Sequence, residues 1–249
     1  MSFSATFLFH GSLNDFLRKY QKNQRLQYQF DGKPSVKDAI EAQGVPHPEV
    51  AQILVNGKPV SFQCLLKPED IVEVFPAPEN QVSEFNSLQP ELQEKIKFML
   101  DVHLGKLAKA LRMLGSDTVY RNDLDDKTIA ELAQNENRIV LTRDVNLLKM
   151  KAIKWGYWLR SQFLEEQLAE VVRYFKLQHK FAPFTRCLEC NGLIREVPKA
   201  KVLEVLPPNT RRFFHEFYQC ENCRKVYWKG SHFERMQEFI SGLQQNYKA

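Results

Sequence analysis

The sequence predicts a multidomain α/β protein: a small α+β domain, then a parallel-sheet α/β domain, then a C-terminal module organised by cysteines. Three observations carry that prediction. Between residues 95 and 175, short apolar runs alternate with amphipathic stretches, the pattern of a parallel sheet with right-handed crossovers. Two Cys-x-x-Cys pairs follow it. A polar, proline-bearing stretch, PAPENQVSEFNSLQP, precedes it and ends a first segment that carries its own hairpin signal. We place the boundaries at 1–78, a linker at 79–92, the parallel-sheet domain at 93–180 and the cysteine module at 181–249.

A hydrophobic content of 43% with 26% charged residues excludes a disordered chain. No run approaches the roughly 18 apolar residues of a membrane helix. The N-terminus, MSFSATFLFHGSL, lacks a positive region and a small-residue cleavage site. Four of the five cysteines sit in two motif pairs, unlike a secreted disulfide framework. The sequence therefore predicts a cytoplasmic protein.

In the first segment, ATFLFHG and LQYQFDG read as strands. SVKDAIEAQG reads as a helix, with Ser35 as N-cap, Asp38 as its reciprocal partner and Gly44 at its end. VAQILVNGKPV carries Asn56-Gly57, a hairpin turn signal, and DIVEVFP is an alternating strand. Cys64, alone in FQCLL, is expected to be a buried core thiol.

After the linker, IKFML is a strand ending at Asp101. LGKLAKALRMLG is a helix whose Leu104, Leu107, Ala108, Leu111 and Leu114 share a face, stopped by Gly115. TVY is a short strand, and DKTIAELAQNE a helix with Asp126 at its N-cap. NRIVLTRDVNLL holds a third strand, Ile139-Val140-Leu141; YWLRS is a fourth and EEQLAEVVRYF the next helix. Ser161 is expected to cap that helix and Gln167 to lie exposed on it.

The strand ends carry the chemistry. In a parallel sheet, ligands bind beyond the carboxyl ends of the strands. Asp101 follows the first strand, Asp123, Asp125 and Asp126 the second, and Asp144 the third. A single Asp there is an ordinary helix cap. Carboxylates at three strand ends would repel one another, and a divalent cation removes that cost; oxygen ligands select Mg²⁺ or Mn²⁺. Metal ligation and capping both remain open for Asp144.

Cys187-x₂-Cys190 and Cys220-x₂-Cys223 form two knuckles 29 residues apart, a strong signal for a structural, tetrahedral Zn²⁺ site. Residues 176–232 hold 11 basic against 5 acidic side chains, a local charge of +6 in a chain of net +5. Such a patch fits phosphate-backbone binding. Arg211, Arg212, Arg224 and Lys225 are the candidates there for binding single-stranded nucleic acid. Phe213, Phe214, Phe217, Tyr218, Tyr227 and Trp228 lie among the basic groups as candidate stacking or core residues. His179, His215 and His232 are isolated and read as surface or packing residues.

FMLDVHLGKLAKALRMLG, LDDKTIAELA and RIVLTRD resemble the PIN-like ribonuclease family named for the Mut-7 C-terminal domain, and the likeness runs from about residue 95 to YWKGSH at 227–232. The first segment, through VNGKPV and LKPEDIVEVFP, resembles ubiquitin-like β-grasp proteins of the sulfur-carrier type. Those end in Gly-Gly, whereas this segment runs on through PAPENQ, so a docking or regulatory role with a protein partner is expected instead. The resemblance implies an α/β PIN-like parallel-sheet domain with a C-terminal zinc ribbon, preceded by a small α+β ubiquitin-like β-grasp domain. It implies a metal-dependent ribonuclease in which Asp101, Asp126 and Asp144 bind Mg²⁺ or Mn²⁺. Asp125, Glu165 and Glu166 are candidates for a fourth acid, and Arg143 and Lys106 for contact with the scissile phosphate. The rival reading is a non-catalytic RNA-binding adaptor whose acids serve only as scaffold.

Overall fold

The computed structural model describes residues 2–76, 88–89 and 95–246, so the expected linker lies almost wholly outside the described residues. In chain order the first elements are β1 (Phe3–Phe9), β2 (Leu26–Phe30), α1 (Val36–Ala42), β3 (Val50–Val55), β4 (Lys58–Pro59) and β5 (Ile71–Pro76). Next come β6 (Lys97–Leu100), α2 (Gly105–Met113), β7 (Asp117–Val119), α3 (Asp126–Glu136), β8 (Ile139–Thr142), α4 (Val145–Leu148), β9 (Gly156–Trp158) and α5 (Leu164–Tyr174). The last are β10 (Ile194–Val197), α6 (Lys199–Val202), α7 (Pro208–Phe213), β11 (Phe217–Cys220), β12 (Val226–Tyr227) and α8 (Ser231–Asn246). The chain sorts into two interleaved units: residues 1–95 with 125–158, and 96–124 with 159–249.

In the first unit, β1 to β5 form a mixed sheet in the order β2-β1-β5-β3-β4, with β1 and β5 parallel. Alternation along β1 turns Ala5, Phe7 and Phe9 into a core with Leu13, Ile40, Ile53, Val72 and Val74. Each large side chain so buried contributes about 2–3 kcal/mol. The expected capping box holds α1: Ser35 Oγ accepts from the Asp38 amide at 3.1 Å, and Asp38 accepts from the Ser35 amide at 3.3 Å. Asn56 and Gly57 both have positive φ, 51° and 77°, as a type I′ hairpin between β3 and β4 requires. Cys64 departs from expectation. It is half-buried at the edge of this core, where its carbonyl accepts from the Val36 amide at the start of α1 at 2.8 Å.

Within the first unit β8 pairs with β9 in parallel, and within the second β6 pairs with β7 in parallel, as the alternating pattern predicts. In the second unit, Phe98 of β6 meets Phe175 edge to face at 5.2 Å. Leu107, Ala108 and Leu111 of α2 and Leu168, Val171 and Val172 of α5 are buried. Gly115 ends α2 at φ +89°, and a Cβ there would lie 2.1 Å from the Ala182 carbonyl oxygen, so only glycine fits.

Four local expectations shift. Asp125, not Asp126, caps α3; its side chain accepts from the Thr128 amide at 2.7 Å, and Asp126 is the first helical residue. The fourth strand starts one residue earlier than expected and stops at Trp158. Phe163, not Ser161, sits at the N-cap of α5. Gln167 is buried rather than exposed, its amide satisfied by the Ser161 carbonyl at 2.9 Å.

The cysteine module is built on the antiparallel sheet β10-β11-β12. Its core is small: Val202, Leu206 and Phe217 are fully buried, with Val197, Phe214, Val226 and Trp228 packed around them.

Candidate functional site

The four knuckle cysteines converge. Their Sγ atoms all lie within 4.8 Å of one another, with Cys187 to Cys223 at 3.5 Å and Cys190 to Cys220 at 3.4 Å. A disulfide needs about 2.05 Å. Four thiolates at 2.3 Å from a central Zn²⁺ stand about 3.8 Å apart. The spacing fits a tetrahedral ion and no disulfide.

Local backbone geometry makes the two halves alike. Asn191 and Arg224, each directly after the second cysteine of its pair, are left-handed at φ +69° and +62°. Each turns the chain so that its amide donates to the carbonyl of the first cysteine, at 3.0 Å (Cys187) and 3.2 Å (Cys220). The first cysteines then donate to Gly192 and Lys225 carbonyls at 2.8 and 2.9 Å. Gly192 is required: a Cβ there would stand 2.8 Å from Cys220 Sγ.

The electrostatics call for a cation. Burial alone would raise the Cys187 thiol, but the Tyr227 hydroxyl and the Cys190 and Glu189 amides bring it down to about 7. Burial and the three neighbouring thiols push Cys223 up to about 12, and burial also raises Cys220. Four thiolates this close cannot all ionise unless a divalent ion compensates them.

Arg112 docks this module onto α2. It is 3% exposed. Its guanidinium donates to the Thr118 carbonyl at 2.9 Å, to Leu188 at 3.0 Å and to Glu189 at 2.8 Å. Burial lowers its pKa, and the neighbouring Cys187, Cys190 and Glu189 offset only part of that. Asn191 completes the joint, accepting from the Thr118 amide at 2.9 Å and donating to Asp117 at 2.8 Å.

The strand-end acids lie where the sequence places them, at the ends of β6 and β8 and the start of α3. Asp101, in the second unit, directly follows β6; it is 6% exposed and accepts from the His103 amide at 3.2 Å. Asp125, Asp126, Arg143 and Asp144 belong to the first unit. Asp144 does cap α4: Oδ1 accepts from the Asn146 amide at 2.7 Å, and its own amide donates to Thr142 Oγ1 at 2.8 Å. Capping uses one carboxylate oxygen, and the side chain is exposed. Glu166 accepts from the Ser161 hydroxyl at 2.5 Å at the start of α5.

The basic candidates differ in what they touch. Lys106 is exposed on α2. Arg211 donates to the Leu206 carbonyl at 3.1 Å, and the Arg212 guanidinium sits 5.4 Å from the Phe213 ring centroid. Lys225 pairs with Glu189 at 2.9 Å, which offsets its charge locally. Of the six module aromatics, Phe217 is buried, Phe214 and Trp228 pack on the core, Tyr227 serves Cys187 and Tyr218 is half-buried with the Lys229 ammonium 5.8 Å from its ring centroid, whereas Phe213 is 64% exposed. His179, His215 and His232 are exposed, as expected.

Sequence reasoning missed Arg112, Asn191 and His47. An arginine on the apolar face of α2, in ALRML, was the available signal for the first. An Asn directly after a CxxC, where the chain must reverse with φ positive, was the signal for the second. His47 carried none.

These features define a class: a small mixed sheet with one helix, joined to a parallel-sheet domain that carries a four-cysteine module. Two family models match the chain, one described as Mut7-C ubiquitin over residues 2–82 and one as Mut7-C RNAse domain over residues 96–240. The chain belongs to the Mut7-C family, with an N-terminal ubiquitin-like domain, and its function is accordingly ribonuclease-related. No curated protein and no solved structure matches it. Among the described residues, no helix is long and apolar enough to cross a membrane.

Proposed function

We propose that this chain is a metal-dependent ribonuclease that hydrolyses RNA phosphodiester bonds. In this reading residues 93–180 form a PIN-like catalytic domain, residues 181–249 carry a zinc ribbon that grips RNA, and residues 1–78 are an accessory domain with a protein partner. The observation that supports it most is the placement of carboxylates at strand ends and a helix start in a chain of the Mut7-C family.

Asp101, Asp126 and Asp144 are the residues we assign to a divalent cation, with Asp125 as a candidate fourth acid. The donor set is chemically suited to Mg²⁺ or Mn²⁺, being all carboxylate oxygen. Asp101 is nearly buried at its strand end, directly after β6. Asp144 retains a second oxygen beyond the one used in the cap. When bound, such an ion polarises the phosphodiester and activates a water. The chain's own part is to hold charge and position: Arg143 and Lys106 contact the phosphate, and no serine or cysteine nucleophile is required. The four cysteines leave no open position on a tetrahedral ion, which makes the zinc structural. Arg211, Arg212 and Arg224 supply phosphate contacts, and exposed Phe213 a base-stacking face. The cytoplasm, which keeps thiols reduced, is the compartment that suits this site.

The test is incubation of purified protein with labelled single-stranded and structured RNAs in Mg²⁺, Mn²⁺ or EDTA. Cleavage in a divalent ion and none in EDTA is expected. RNA binding without cleavage under every condition would favour the non-catalytic adaptor.

A further inference from the structure

Within the first unit, the ubiquitin-like domain touches the stretch from Leu148 to Trp158. Residues 47–49 form a single helical turn leading into β3, and its side chains reach the stretch that ends at Trp158. The Glu49 carboxylate, 4% exposed, accepts from the Trp158 backbone amide at 2.6 Å. The Phe16 ring lies against the Trp158 indole, with centroids 5.0 Å apart. The Trp158 indole N–H in turn donates to the Arg143 carbonyl at 3.1 Å.

Nearby contacts reinforce this one. His47, 9% exposed, bonds the Glu41 carboxylate through Nδ1 at 2.6 Å and the Ile153 carbonyl through Nε2 at 2.8 Å. Lys149 donates to the Glu41 carbonyl at 2.7 Å. Gly156 is held close as well, since a Cβ there would meet Leu148 at 2.5 Å and Pro48 at 3.5 Å. Surfaces joined through buried polar groups with defined directions stay in one register. The Thr142-Arg143-Asp144 turn is thus fixed at two backbone points: the Asp144 amide by Thr142 Oγ1, and the Arg143 carbonyl by Trp158.

We propose that the ubiquitin-like domain is a positioning element for the Thr142-Arg143-Asp144 turn, acting through Trp158, with Glu49 and Phe16 as the residues that hold the indole in place. Its catalytic consequence rests on the ribonuclease reading; its mechanical part stands on the contacts alone. A displacement of about 1 Å at a reacting group costs on the order of 100-fold in rate, so loss of this support should lower turnover.

The experiment uses the full chain and the variants Trp158→Phe, which keeps a ring and removes the N–H, Phe16→Ala, Glu49→Ala and the conservative Glu49→Gln. Amide exchange, resolved by peptide, is followed with single-turnover RNA cleavage at saturating RNA. We expect exchange across residues 142–148 to rise about tenfold or more in Trp158→Phe and Phe16→Ala, a loss of roughly 1.4 kcal/mol or more in local protection. Exchange in the cysteine module should stay unchanged. The cleavage rate should fall by a similar factor while RNA affinity holds, and Glu49→Gln should recover what Glu49→Ala loses. Wild-type exchange across 142–148 in both ring variants would overturn the proposal, and so would a loss confined to RNA affinity. If wild type cleaves no RNA, the ribonuclease reading falls, and the exchange result still decides the coupling.

Discussion

The ubiquitin-like domain and the cysteine module are both small, yet they are held together differently. The first has a continuous apolar core from Ala5 to Val74. The core cluster of the second is only Val202, Leu206 and Phe217 with a few partly buried neighbours, and the module also gathers four sulfurs. Below a certain core size, burial cannot offset the conformational entropy of ordering the chain, and small modules draw on disulfides, metals or oligomerisation. The contrast also separates the roles of acids and thiols. The thiols converge on one point, whereas the acids mark strand ends and the start of a helix.

The largest expected effect breaks the comparison at its metal. Cys223→Ser, or prolonged chelation, should unfold residues 181–232 and leave the ubiquitin-like domain folded, because structural zinc contributes on the order of 10 kcal/mol to such modules. Elemental analysis should find one zinc per chain, and peptide-resolved exchange should show which residues open. Zinc-free protein with an intact module would remove the site from the account.

A smaller effect belongs to the joint. Arg112→Met preserves the length of the side chain and leaves the carbonyls of Thr118, Leu188 and Glu189 without their donor. We expect a loss of roughly 2–4 kcal/mol in urea unfolding, typical of removing one partner from a buried charged network. Zinc release should also speed up. Unchanged stability would mean that the module does not depend on α2.

How much of this was legible depended on whether the signal was local. The capping box at Ser35, the Asn56-Gly57 turn, the Gly115 stop and both CxxC knuckles are written within a few residues, and the structure holds them where the sequence placed them. Asp125 and Asp126 could not be told apart, since either is a good N-cap and only the backbone conformation chooses, extended at Asp125 with ψ 164°. Arg112, Asn191, Glu49 and His47 act across long separations, on carbonyls and amides that have no sequence signature. The same limit applied to the aromatics: six looked equivalent in the sequence, and packing left Phe213 outside.

The smallest effect sharpens the division of labour. If the module grips the phosphate backbone, RNA affinity falls with salt by a slope of roughly −0.7 per phosphate contacted on a single strand. Replacing Arg211 and Arg212 together by Gln should flatten that slope by about one to two units. Lys225→Gln should change it less, because Glu189 already offsets that charge. Equal slopes in wild type and the double variant would assign the +6 segment to another partner.

The most direct measurement asks whether the acids act while the thiols hold. Wild type, Asp101→Asn and Asp144→Asn are compared in Mn²⁺ for single-turnover RNA cleavage and RNA affinity, with zinc content measured on the same samples. Asparagine caps a helix about as well as aspartate, so Asp144→Asn removes the charge and keeps α4. The account predicts a folded protein with one zinc and near-normal RNA affinity in both variants, and cleavage reduced by about 100-fold or more, in line with the weight of metal-centred charge stabilisation. Cleavage at the wild-type rate in either variant would contradict the assignment of that acid.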